Sequence, residues 1–388
     1  MKEGWEKKKM SDVFDLQMGK TPDRKNLSYF GGDNIWVSIS DIKDKYINSS
    51  KEHLTDSAVK ETNIKEVQEG TVIMSFKLTV GRTAIAATKL YTNEAIMAFN
   101  VKDGFTIDSS FLYYYLSAYR WQGTNKAVMG LTLNKATISS QYISIPPLSV
   151  QESIVSELDM LSGIISKHKA LQEEYDRLEQ SIFYDMFGDP VTNEKGWDKK
   201  TLDSLYKVSS SKRIMQSEWT TSGIPFLKVA DFVSMIQGNT PSPLAFISEE
   251  KYDELKKDNL IPRENDILIT SRGTLGLCYI VKDSDAFYFQ DGMVSWLSNS
   301  NGEILSDYLV KIFKYPSFIA KLNETSNKST VAYVSISQLS KIQVPVPPLS
   351  IQQSFADKIS AIEQMKAKNK AAQEEAEMLF NERMTYYF

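Results

Sequence analysis

Ile145 to Glu174 reads IPPLSVQESIVSELDMLSGIISKHKALQEE, and Val346 to Glu375 reads VPPLSIQQSFADKISAIEQMKAKNKAAQEE. The two stretches align without a gap at an offset of 201, with 12 of 30 positions identical, and the same offset carries Phe187 onto Phe388. A match of this length at a fixed spacing marks an internal duplication. Upstream the correspondence continues at offsets that drift between 190 and 201. Gly4-Trp5-Glu6-Lys7-Lys8 matches Gly196-Trp197-Asp198-Lys199-Lys200, and Val37 to Ile42 (VSISDI), read as a strand, matches Leu227 to Phe232 (LKVADF). Thr71 to Gly81 (TVIMSFKLTVG) matches Asp266 to Gly276 (DILITSRGTLG), and Phe111 to Leu116 (FLYYYL) matches Tyr308 to Phe313 (YLVKIF). Drifting offsets imply loops of different length on a shared framework.

In each copy a globular part precedes the quoted stretch. Short Val/Ile/Phe-rich runs, among them Ile35 to Ile39, Ala84 to Ala87 and Ala95 to Val101, are separated by Gly, Asp and Asn turn residues, as in a mixed α+β domain. Pro146-Pro147 and Pro347-Pro348 close the globular parts, and Ser149 and Ser350 are placed to cap the helices that follow, whose first turn tolerates those prolines. Ile154, Leu158, Leu161, Ile165, His168, Tyr175, Leu178 and Ile182 recur mostly at spacings of three and four, and Phe355, Ile359, Ile362, Met365, Ala372, Ala376 and Leu379 repeat the stripe. Apolar stripes on helices this long need a partner, and two in one chain can bury each other. The linker Gly188 to Glu194 (GDPVTNE) is short. A helix of roughly 38 residues, about 57 Å long, therefore places the second globular part at its far end, and an antiparallel second helix returns the chain. The expected fold class is α+β: two similar globular domains, residues 1–148 and 189–349, each followed by a long helix, residues 149–188 and 350–388. The two helices are expected to pair as an antiparallel coiled coil with pseudo-two-fold symmetry.

The 388 residues are 42% apolar and 24% charged, a composition that supports two or three globular cores. There is no stretch of about 18 apolar residues, and the start MKEGWEKKKM has no apolar signal-peptide core; a cytoplasmic location without membrane contact is expected. The single cysteine, Cys278, stands beside only two histidines, His53 and His168, so neither an internal disulfide nor a metal cluster is expected. The net charge of −4 is unevenly spread. Residues 1–148 carry 19 Lys+Arg against 16 Asp+Glu, 149–190 carry 3 against 9, 191–349 carry 18 against 18, and 350–388 carry 5 against 6. Acidity concentrates in the first helical stretch and leaves the globular parts free to show a basic face to phosphate.

The order globular part, PPLxxQ helix, globular part, PPLxxQ helix resembles the specificity subunits of type I restriction-modification systems. The resemblance rests on Ile145 to Gln151 (IPPLSVQ), Val346 to Gln352 (VPPLSIQ), the paired Gly-Trp starts and the DILITSRGTLG segment. It implies two target-recognition domains that each read one half of an interrupted, asymmetric target on double-stranded DNA, with the helices setting the spacer. It also implies two modification (methyltransferase) subunits and two restriction subunits as partners. The first copy has Phe76-Lys77-Leu78 where the second has Ser271-Arg272-Gly273, so the first loop is expected to be less tight.

Readers of DNA sequence need Arg, Lys, Asn and Gln on loops for base edges, and Ser, Thr, Tyr and further Lys for phosphate. In the first domain the candidates are Lys20, Thr21, Arg24 and Lys25; Lys77, Thr79 and Arg82; and Asn125, Lys126, Asn134 and Lys135. In the second they are Ser211, Lys212 and Arg213; Ser271, Arg272 and Thr274; and Asn327, Lys328, Ser329 and Tyr333. Arg272 and Lys328 stand out, Arg272 because the neighbouring glycines permit close approach to a backbone. The aromatic run Phe111 to Trp121 (FLYYYLSAYRW) has helical spacing behind a cap at Ser109 or Ser110 and is read as core rather than as a platform for bases. His168 is read as a packed polar residue.

A methyltransferase would need a glycine-rich cofactor loop and an Asn-Pro-Pro-Tyr-like pocket, and a restriction subunit a GxxxxGK[ST] loop; neither string occurs. Glu249-Glu250-Lys251 contains the E-x-K of many nucleases, but such chemistry needs converging carboxylates. No catalytic residue, cofactor or metal is therefore expected on this chain; S-adenosylmethionine, ATP and Mg would belong to its partners. The competing non-enzymatic reading is a coiled-coil scaffold that binds only proteins.

Overall fold

A computed structural model describes residues 4–122, 125–127, 130–236, 239, 245–326 and 332–388, with backbone only for 125–127, 130 and 131. The chain forms two compact units, Met1–Lys169 with Ala371–Phe388, and Ala170–Lys370. Both are mixed α+β. Among the described residues no helix is long and apolar enough to cross a membrane.

In the first unit a five-stranded sheet runs in the order Phe14–Met18, Ile96–Val101, Val72–Ser75, Thr83–Ala86 and Tyr46–Ile47. Val72–Ser75 is buried along its whole length. Side chains alternate across a strand, so Val72 and Met74 join the core beneath the helix Ser109–Ala118 while Ile73 joins a second core with Val37 and Ala98. A smaller sheet places Phe30–Val37 between Glu52–Leu54, antiparallel, and Tyr91–Thr92, parallel. Glu6–Lys9 pairs with Tyr142–Ile145 just before the first proline pair.

The second unit repeats the plan. Its four-stranded sheet runs Lys207–Ser209, Val294–Ser298, Ile267–Thr270, Cys278–Ile280. Its smaller sheet holds Ile224–Leu227 between Phe246–Ile247, antiparallel, and Tyr288–Phe289, parallel. Lys199–Thr201 pairs with Gln343–Pro345. The expected strand over Val37 to Ile42 and Leu227 to Phe232 ends early in both units. The Ser38 amide donates to the Asp41 carboxylate and the Lys228 amide to that of Asp231, and these i to i+3 bonds turn the chain into the short helical segments Ile39–Asp41 and Val229–Ile236.

The long helices span Leu148–Phe187 and Leu349–Tyr387. Ser149 and Ser350 lie inside the first turn rather than at the cap, because the Pro147 and Pro348 carbonyls already accept the first helical bonds. The anchor is the glutamine of PPLxxQ. Gln151 donates to the Pro146 and Thr106 carbonyls at 2.9 and 3.1 Å and accepts from the Asp108 amide at 2.9 Å. Gln352 donates to Pro347 and Glu303 at 2.7 and 3.0 Å and accepts from Leu305 at 2.8 Å. Each side chain is buried and pins the start of a long helix to the globular part before it.

Ile154, Leu158 and Leu161 are buried, the first two in one core with Phe111, against which Phe380, Met384 and Phe388 from the end of the second helix also pack. In the second unit Phe355, Ile359 and Ile362 are buried with Phe183 and Phe187 from the end of the first helix. In each unit the start of one long helix thus lies beside the end of the other. Ile165, Tyr175, Ile182 and Ala372 are half-buried. Leu178, Met365 and Leu379, expected in the seam, are 45%, 50% and 40% exposed. The inward face near Leu178 passes instead through Glu179, one position on, and Phe183, and near Leu379 through Phe380, one position on, and Met384.

The aromatic run forms the core helix Ser109–Ala118, with Phe111, Tyr114 and Tyr115 buried. Its cap is Asp108, which accepts from the Phe111 amide at 2.8 Å, rather than Ser109 or Ser110. His168 is half-buried. Glu249-Glu250-Lys251 forms the first turn of the helix Glu249–Lys257, and Lys251 is tied to Glu218 at 3.3 Å and Glu254 at 3.1 Å.

Candidate nucleic-acid interface

Three candidate segments of the first unit meet at one end of the strands Phe14–Met18, Ile96–Val101 and Val72–Ser75 of its main sheet. The Phe76 amide donates to the Ala95 carbonyl, the Gly19 amide to Ile96 and the Lys20 amide to Thr92. The turn at 92–96 is therefore bracketed by the Lys20 segment and the Lys77 loop. Gly19 makes this approach possible, since a Cβ there would collide with the Thr92 and Asn93 carbonyl oxygens. The third segment joins through a small sheet in which Lys77 and Leu78 pair with Thr132 and Leu131, and Asn125 and Lys126 pair in turn with Thr132 and Leu131.

The second unit builds the same junction. The Ser271 amide donates to Met293, the Gly273 amide to Ala332 and the Val334 amide to Ser271, with Arg272 bridged to Tyr333. The loop itself is held identically in both copies. Ser75 Oγ accepts from the Arg82 amide and donates to the Thr79 carbonyl, while Thr270 Oγ1 accepts from Leu277 and donates to Thr274. Ser75 and Thr270 are thus the framework residues that spacing alone did not single out. Repeated hydroxyls at matched positions of the two loops were the available signal.

The first loop is as tightly bonded as the second, contrary to the expectation from Phe76-Lys77-Leu78. Leu78 achieves this by adopting φ +65°, where Gly273 has φ +77°. A left-handed leucine costs roughly 1–2 kcal/mol, while glycine costs roughly 0.5–1 kcal/mol in lost chain entropy. Leu78 is exposed and loses little apolar contact on truncation. Leu78→Gly is therefore expected to stabilise the first unit by up to about 1 kcal/mol, and Leu78→Ala to bring no gain, both read from urea midpoints.

Among the candidate side chains, Lys25, Thr79, Arg82, Asn134, Lys135, Lys212, Arg213, Arg272 and Thr274 are exposed, and Lys77 and Tyr333 are half-buried. Lys20 donates to the Thr62 carbonyl at 2.6 Å, and Thr21 to Glu94. Asn134 caps the helix Lys135–Ser140 through its Oδ1. Arg24 is held by Glu52 through both terminal nitrogens, at 2.6 and 3.0 Å, over the rings of Phe30 and Trp36. Ser211 and Ser271 do not reach the surface. Ser211 is buried with its hydroxyl on the Phe289 carbonyl at 2.7 Å, and Ser271 with its hydroxyl 2.6 Å from that of Ser295. Both are small residues at strand ends, where burial satisfies the hydroxyl on neighbouring strands. The side chains of Asn125 and Lys126, and all of Asn327, Lys328 and Ser329, lie outside the described residues.

The arrangement is two copies of one hydrogen-bonded loop framework carrying different polar side chains. The family model for the type I restriction modification DNA specificity domain matches residues 2–175 and again 194–378. The type I restriction enzyme MjaIX specificity subunit of Methanocaldococcus jannaschii is 25% identical over 378 residues, covering 90% of this chain and 85% of that protein. The crystal structure of a type I restriction-modification system S subunit from M. genitalium superposes with a TM-score of 0.57 at 15% identity, over 98% of this chain and 95% of that one. A chain from a structure addressing complex assembly and conformational transition of the type I R-M system gives a TM-score of 0.62 at 18% identity, over 99% and 97%. The structural likenesses show a shared fold. The family match spans nearly all of both copies, and the chain belongs to the type I restriction-modification DNA specificity family as a DNA sequence-recognition subunit.

Proposed function

We propose that each globular domain reads one half of a bipartite, asymmetric DNA target and that the long helices set the spacer and dock two modification subunits, with two restriction subunits completing the complex. The observation that carries this reading is the duplicated loop junction, in which one hydrogen-bonded framework presents Lys77, Thr79 and Arg82 in one unit and Arg272 and Thr274 in the other. A constant framework with different exposed polar residues suits recognition of two different half-sites. The subunit is non-catalytic in this reading and binds no cofactor; S-adenosylmethionine, ATP and Mg serve its partners, and the complex acts on cytoplasmic DNA.

The test is binding of the full chain with its modification subunits to duplex pools at several salt concentrations. A salt-sensitive preference for one interrupted sequence is expected, and equal binding to every duplex would refute the reading. Within that assay Arg272→Ala is expected to cost about 1–3 kcal/mol at one position of one half-site if it reads a base. An equal loss on all sequences would make it a phosphate contact instead.

A further inference from the structure

We infer that Arg213 reads a guanine and that Asp291 is its positioning residue, an assignment that rests on the DNA-recognition reading above. Arg213 is the outward-facing member of a segment anchored on both sides. Ser211 is buried on the Phe289 carbonyl, Ile214 is buried, and the amide and carbonyl of Lys212 are both bonded to the hydroxyl of buried Tyr288, at 2.8 and 3.1 Å. The Arg213 backbone is therefore fixed by its neighbours while its own side chain is 73% exposed.

That side chain is held by one edge only. Arg213 Nε donates to Asp291 Oδ2 at 2.8 Å, and the described residues place no partner on its two terminal nitrogens. Asp291 lies two residues before Met293, whose carbonyl receives the Ser271 amide, so Arg213 flanks the same junction that presents Arg272. A guanidinium fixed at Nε keeps a planar terminal fork, and such a fork matches O6 and N7 of guanine in the major groove. Fixing it in advance lowers the rotamer entropy lost on binding.

The carboxylate partner favours a base over a phosphate. A phosphate contact does not need a fixed plane, and a carboxylate at the phosphate backbone opposes binding, whereas Asp291 is suited to orienting an arginine aimed at a base edge. Arg24 of the first unit is the contrasting case, since Glu52 occupies both of its terminal nitrogens. Its fork is already spent.

The full chain with its modification subunits is first given a randomised duplex pool, and the selected site is then remade with 7-deazaguanine at each guanine in turn. Arg213→Lys and Arg213→Ala are expected to lose about 10- to 100-fold of the preference for one G·C pair in one half-site, the range of one paired arginine contact. The other half-site keeps its preference. Removing N7 of that guanine weakens the unsubstituted protein about 10-fold and leaves Arg213→Ala, which has no donor for that edge, unaffected. Asp291→Asn keeps the side-chain size, and is expected to lose an intermediate part of that preference without a change in melting temperature. Retention of every base preference by both Arg213 variants, or a uniform loss over all sequences, overturns the assignment. A complex in which the unsubstituted protein prefers no sequence overturns the DNA-recognition reading itself, which separates the two failures.

Discussion

Gln352→Leu is expected to destabilise the second unit by about 3–5 kcal/mol. Leucine fills much of the space but offers no donor or acceptor, and three bonded groups lose their partner at once: the Pro347 and Glu303 carbonyls and the Leu305 amide. Each buried backbone group left unmatched costs about 1–3 kcal/mol, with less than full additivity among neighbours. The site is closed, Gln352 being wholly buried. The measurement is the urea midpoint of the full chain together with amide exchange over 303–310, where protection should fall before it does in the first unit. Gln151→Leu should produce the mirrored pattern around Thr106 and Asp108. Unchanged exchange at both places would mean that the helix starts are held by apolar packing alone.

Glu179→Leu is expected to cost about 3–5 kcal/mol through a different mechanism, because removing one partner of a buried ionic cluster leaves the others uncompensated. Glu179 lies 2.8 Å from both Lys311 and Lys366, and the three side chains are 11%, 15% and 14% exposed. Lys366 also reaches Asp176 at 2.6 Å and Lys311 reaches Glu363 at 3.3 Å. At the matching positions the first unit has Phe380 for Glu179, Ile165 for Lys366 and Tyr114 for Lys311, with Tyr114 and Phe380 packed edge to face at 6.1 Å. Replacing a buried charged triad by apolar residues of similar size is often neutral or stabilising. The combined substitution Lys311→Tyr, Glu179→Phe and Lys366→Ile is accordingly expected to recover stability to within about 1 kcal/mol of the unsubstituted protein.

The same cluster sets a pH dependence. Burial alone pushes the Glu179 carboxyl up, but the bonds from Lys311 and Lys366 outweigh it and hold the group below the ordinary value of 4.5. A carboxyl lowered by folding stabilises the fold above its unfolded value and loses that contribution as pH falls through its folded value. The second unit should therefore weaken on acidification below about pH 4.5. Burial lowers Lys366, and its bonds to Asp176 and Glu179 more than offset this, so it ends raised. Its contribution is complete below the ordinary lysine value of 10.5 and fades as pH rises through the raised one. Acid titration of thermal unfolding should show a shallower low-pH limb in the apolar triple variant than in the unsubstituted protein.

The one-dimensional pattern determined a good deal of this protein. The gapless PPLxxQ repeat, the paired Gly-Trp starts and the TVIMSFKLTVG and DILITSRGTLG segments established a duplicated α+β architecture with two long helices. Continuous apolar runs mark strands covered on both faces, and apolar residues at spacings of three and four mark a buried helix face; both signals are local. The candidate loops are legible because polar residues cluster between such runs. Tertiary structure alone decided which of those residues face outward. Ser211 and Ser271 stand in the same polar runs as Lys212 and Arg272, but the Ser211 hydroxyl donates to the Phe289 carbonyl and that of Ser271 is bonded to the Ser295 hydroxyl, partners distant in sequence that draw both inside. Leu178 and Glu179 exchange their expected places because Lys311, 132 residues away, supplies the charge that makes a buried glutamate tolerable. Leu78 takes a backbone conformation that glycine fills in the other copy, since the surrounding hydrogen bonds dictate the turn. A buried polar group is stable only when its partner arrives with the fold, and the partner's position is not written in the spacing around the residue itself.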